Sequence, residues 1–158
     1  MKAGIMNNID FEKIISDLGE ALGMAIAFDE DGVCDLVVKE SFGVSLKKSE
    51  EDGTLTMFSS LCTDLPDPVD YPLMLDLLEF NLGAASGASC AVGRDPSSGF
   101  LVAWQTFPAS RLAAIPIADL FSYFVQSRVA LARILGGNIS TDRAGSPAAD
   151  AANMVINV

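Results

Sequence analysis

Apolar residues at Phe11, Ile14, Ile15, Leu18 and Leu22 recur at helical spacing, so the first regular segment reads as an amphipathic helix with one buried stripe. Gly23 ends it. From Met24 the pattern becomes extended, and Asp29-Glu30-Asp31-Gly32 forms a turn whose glycine accepts a positive φ without steric cost. Residues 33–38 then resume as a strand, so the helix is expected to run into an acidic hairpin with residues 24–28 as its first arm. The sequence TLTMFSSLC at 54–62 supplies a third strand, separated from the second by the polar segment 47–53.

Pro66 and Pro68 interrupt the chain before residues 71–82, which read as a second helix with Pro72 in its first turn and Gly83 just past its end. Leu73, Met74, Leu75, Leu77, Leu78, Phe80 and Leu82 are relieved only by Asp76, Glu79 and Asn81. Apolar surface on that scale exceeds what one stripe requires. The helix is therefore either buried centrally or packed against a second subunit, and the subunit interface is the preferred reading. Residues 89–94 and 100–107 read as two strands turning at Asp95-Pro96-Ser97-Ser98-Gly99. In the second of these, Phe100, Val102 and Trp104 face one way and Leu101, Ala103 and Phe107 the other, so both faces need cover. Residues 116–135 form the third helix, stopped by Gly136-Gly137. The result is an α+β domain in which three helices pack on an antiparallel sheet in the order α-β-β-β-α-β-β-α. Residues 1–137 constitute that domain. Residues 138–153, rich in Ala, Ser, Gly and Asp, lack an apolar period and are expected to be disordered or loosely packed, while 154–158 are apolar enough to dock.

Charge and composition narrow the function. The 158 residues carry a formal net charge of −11, which repels phosphate backbones and anionic lipid, so neither nucleic acid nor a membrane surface is an expected partner. No apolar run reaches the roughly 18 residues of a membrane helix, since Asp119 and Gln126 interrupt the best candidate. The start, MKAGIMNNIDFEKII, has no apolar stretch suited to a signal peptide, which points to the cytoplasm. Cys34, Cys62 and Cys90 are widely spaced and fall in strands, as buried reduced thiols do. With no histidine, no GxSxG elbow and no GxxxxGK[ST] loop, the commonest hydrolase and nucleotide-binding signatures are missing. Asp29, Glu30, Asp31 and Asp35 lack the remainder of a calcium loop and read as a solvated turn. No catalytic residue, metal ligand or cofactor is expected.

The string LGEALGM followed by DEDGVCDL, the helix end LLEFNLG, and the strand, turn and strand ASGASCAVGRDPSSGFLVAWQTFP together resemble the class I type III secretion chaperones, the CesT-like family of effector-specific chaperones. The resemblance runs over residues 9–135. The long tail and Arg94, where the family more often has an acidic residue, are departures. The resemblance implies a cytoplasmic bacterial homodimer that binds the N-terminal region of a secreted effector as an extended, non-globular segment, with release falling to the secretion ATPase. On that reading Ile15, Leu18 and Leu22 of the first helix and Ile26, Phe28 and Val33 of the hairpin line the effector-binding grooves, ordinary core being the alternative for each. Leu73, Leu77, Phe80 and Trp104 are expected at the dimer interface, since they lie on the two segments with more apolar surface than one domain needs. The negative charge favours clients with a basic binding segment. The competing function is a regulatory or sensory protein of the same fold that acts on a folded partner or small ligand.

Overall fold

The computed structural model describes residues 9–39, 41–62, 71–136 and 155–156. Helix α1 spans Phe11–Leu22, with the Asp10 side chain accepting the Lys13 N–H at its start. Gly23 closes it at φ 70°, and the Met24 N–H reaches back to the Gly19 carbonyl at 2.9 Å. This six-to-one bond turns the chain sharply out of the helix. Its buried stripe is Phe11, Ile15 and Leu18.

Residues 24–28 do not join the sheet. The expected first arm of the hairpin is instead a covering segment, drawn so close to α1 that a Cβ on Gly19 would lie 2.6 Å from the Met24 carbonyl oxygen. The acidic turn forms as expected: the Asp29 carboxylate accepts the N–H groups of Asp31 and Val33, and Gly32 has φ 72°. Its product is strand β1, Val33–Val38, which pairs antiparallel with β2, Phe42–Ser49. β2 occupies sequence that had been assigned in part to a polar connection. There Val44 and Leu46 point into the core, while Lys47 is exposed and Lys48 ion-pairs with Glu12 and Glu50.

β3 (Thr54–Cys62) pairs with β2 and with β5 (Leu101–Pro108), and β5 pairs with the short β4 (Ala91–Arg94), all antiparallel. The β4–β5 connection is held by Asp95, whose carboxylate accepts from the hydroxyls of Ser97 and Ser98 and is thereby lowered to a pKa of about 2. A two-residue β6, Val155–Ile156, lies parallel to β1 and completes the order β4-β5-β3-β2-β1-β6. The expected disorder of 138–153 concerns residues outside those described.

Helix α2 runs Tyr71–Ala85, through Gly83 rather than stopping before it, and packs against β4 and α4. A six-residue helix α3, Ala109–Ala114, was not anticipated; it sits between β5 and α4 (Ile117–Ile134). α4 buries Leu120, Phe121, Phe124 and Leu131 and packs on β3 and α1. These side chains meet Leu36, Val44, Leu46, Leu55, Met57, Ala103 and Phe107 from the sheet to make one core.

Candidate functional site

Among the described residues the core contains one full charge. Arg128 lies on the apolar stripe of α4 and is 1% exposed. Its Nε–H donates to Ser59 Oγ at 3.3 Å, a terminal nitrogen donates to the Ser60 carbonyl at 2.9 Å, and the guanidinium lies 3.9 Å from the centre of the Phe42 ring. The Ser59 hydroxyl in turn donates to the Gly43 carbonyl at 2.6 Å. Helix α4 is thus tied to β2 and β3 by a hydrogen-bonded chain, the form in which a buried cation is tolerated. The one basic residue on an otherwise apolar stripe is the signal that marks this position in the sequence. The thiols do not add chemistry: Cys34 and Cys90 are buried and free. Burial, reinforced by Asp35 and Asp29, pushes Cys34 up to about 11, and burial likewise raises Cys90 against the opposing hydrogen bond from Ser127. Both remain protonated at neutral pH and are poor nucleophiles. The Cys62 side chain lies outside the described residues. No group of three potential metal ligands occurs among the described residues, and none of their helices is long and apolar enough to cross a membrane.

Two surfaces stand out among the described residues. The first is helix α2, none of whose residues is buried, so it is not the buried central helix that had been the alternative. Leu73, Leu77 and Phe80 turn partly inward, Leu77 and Phe80 packing against the core. The outward stripe is a different one, made of Met74, Leu78 and Leu82, with Leu75 and Tyr71 beside it; Leu78 is 60% and Leu82 75% exposed. The i, i+4, i+8 spacing of 74, 78 and 82 made that stripe readable, but an apolar helix with two such stripes does not announce which one faces out. Asn81 decides it. Its Nδ2–H donates to the Val92 carbonyl at 3.1 Å and its Oδ1 accepts the Val92 N–H at 2.8 Å, so the side chain occupies the free edge of β4 as another strand would. Trp104, 45% exposed, lies with Asn81, Ala84, Ala85 and Arg111 around a groove of about 410 Å³. The C-terminal end of α2, at Asn81, Ala84 and Ala85, therefore shares this groove with Trp104 of β5.

The second surface follows α1. Leu22, Ile26, Phe28 and Val33 are half-buried along its C-terminal end and the segment after it, and Lys48 lies over the Phe28 ring at 5.3 Å. Ile15 and Leu18, expected on the same groove, are 2% and 0% exposed. They are core in this conformation, because α1 has only one apolar stripe and its own sheet and α4 cover it.

The sequence profile of the Tir chaperone protein (CesT) family matches residues 13–132, which takes in every element from α1 to α4. The chain belongs to this family. It is the family that the sequence resemblance indicated. Solved structures of similar shape include a chain of the HopA1–SchA chaperone–effector complex, 20% identical with a TM-score of 0.64, covering 81% of this chain and 94% of that one. A chain of the ExsC–ExsE complex is 16% identical with a TM-score of 0.61, covering 84% and 96%. A chain of the ExoT–SpcS complex from Pseudomonas aeruginosa is 25% identical with a TM-score of 0.55, covering 78% and 94%. A search of curated protein sequences found no match. The match stops within α4, so this CesT-family chain carries residues 133–158 beyond the matched region.

Proposed function

We propose that this protein is a cytoplasmic type III secretion chaperone that works as a homodimer and holds the N-terminal region of a cognate effector as an extended, non-globular segment. Family membership carries the reading, and α2 supports it. A helix with no buried residue and an outward row of Met74, Leu78 and Leu82 leaves apolar area that a second copy can cover by the same stripe in a twofold arrangement. Trp104 and the half-buried side of Leu73, Leu77 and Phe80 belong to the border of that interface. An extended client fits the other surface: Leu22, Ile26, Phe28 and Val33 offer apolar contacts to alternate side chains, and a strand edge supplies main-chain partners. Ile15 and Leu18 support that groove from beneath. The net charge of −11 keeps an apolar dimer soluble and favours a client segment rich in Lys and Arg. Holding the client needs no nucleotide or metal; release belongs to the ATPase of the secretion apparatus.

The test begins with capture of the client from native cytoplasm and its identification by mass spectrometry. The client's isolated N-terminal fragment, disordered alone, is then titrated into the purified chaperone. Binding of that fragment with an affinity matching the full client supports the proposal. Binding that requires the folded remainder of the partner contradicts it and favours a regulator of the same fold.

A further inference from the structure

The two outer edges of the sheet are treated differently. On the β4 side, Asn81 of α2 satisfies both backbone groups of Val92. On the other side, β1 (VCDLVV) has a single charge, Asp35, and no proline, so it lacks the usual devices that discourage edge pairing. The chain's own C-terminal segment covers it: Val155 pairs with Val37 and Ile156 with Val38, parallel to β1. A cavity of about 460 Å³, lined by Val38, Lys39, Phe42, Val125, Val129 and Arg133, opens beside the residue that Ile156 pairs with. The segment Met154-Val155-Ile156-Asn157-Val158 is apolar, uncharged and rich in β-branched residues, which suits an added strand.

We infer that the β1 edge and the adjoining α4 groove form a docking site for an extended, uncharged apolar peptide in parallel orientation, and that residues 155–156 are its resident occupant, a built-in competitor. A tethered strand acts at an effective concentration of about millimolar, so an incoming segment has to outbind it. That a client uses this same edge rests on the proposed function; occupancy by the tail does not.

The test uses the full chain and a variant carrying Val155→Pro and Ile156→Pro, which removes two backbone donors from the tail and leaves the domain untouched. Hydrogen exchange of the β1 peptide is followed in both, and a labelled synthetic peptide of residues 152–158, ANMVINV, is titrated into each. The inference predicts faster exchange in β1 and about tenfold tighter peptide binding by the variant, as expected when a tethered competitor is removed. Equal exchange, or equal peptide affinity, overturns it. Protection that disappears on dilution assigns the strand to a second copy and overturns the intramolecular assignment. With the client fragment as ligand, a tighter complex with the variant supports competition. Unchanged client affinity overturns competition alone, whereas failure of both chains to bind the fragment contradicts the chaperone reading and leaves the exchange result standing.

Discussion

If the protein is the proposed homodimer, replacing Leu78 by aspartate should convert it into a folded monomer. Leu78 is 60% exposed in the single chain, and full burial of a leucine contributes about 1.5–3 kcal/mol, so covering the remainder adds about 1–2 kcal/mol per copy. In the proposed dimer, twofold symmetry would place the residue in the interface twice, which makes the loss about 2–4 kcal/mol before the cost of desolvating two carboxylates. The dimer dissociation constant should rise by roughly 30- to 700-fold. Leu77, being half-buried against the core, is a poorer choice, because aspartate there damages the domain as well as the interface. Light scattering across a concentration series reads the association, and far-ultraviolet circular dichroism with thermal melting confirms that the Leu78→Asp chain is folded. An unchanged dissociation constant in a folded variant would remove the outer stripe of α2 from the interface.

Asn81→Ala leaves the N–H and carbonyl of Val92 without their partner and should destabilise the domain by about 1–3 kcal/mol in denaturant unfolding; no change would mean that water replaces the side chain fully. Gly19→Ala should also destabilise, by about 1–3 kcal/mol, although alanine is the better helix former, because its Cβ would sit 2.6 Å from the Met24 carbonyl; a more stable variant would show that the segment after α1 shifts freely. Burial raises the Cys34 thiol from 9.0 to about 11, so the folded state holds this proton more tightly than the unfolded chain. Its contribution is intact below pH 9 and is lost as pH rises through about 11. Native Cys34 should accordingly resist thiol reagents at pH 8, and rapid labelling without denaturant would contradict its burial.

Much of this was readable from local chemistry. The stripe of α1, its Gly23 stop and the Asp29–Gly32 turn each follow from a few neighbouring residues, and each forms as expected. The errors have a shared cause. Alternation in residues 24–28 reports that Met24, Ile26 and Phe28 turn inward, but not whether the backbone finds a ladder partner. In β2, Phe42, Val44 and Leu46 alternate, yet no strand was expected there, because Lys47 and Lys48 read as the start of a polar connection. Ile15 and Leu18 were indistinguishable from groove residues, because a core stripe and a binding stripe have the same spacing until the elements covering them are placed. For α2 the excess of apolar surface was evident, while the choice of outward stripe depended on Asn81 meeting Val92, a contact between residues whose pairing no local pattern encodes.

The central claim is that the client's N-terminal region is held extended. Limited proteolysis of the client, alone and with the chaperone, tests it most directly when the complex is sized by light scattering and the cleavage sites are mapped. The account predicts a continuous N-terminal stretch that is cleaved throughout in the free client and protected in a complex containing two copies of this chain. Protection confined to a folded domain, with the N-terminal region cleaved equally in both samples, would contradict it.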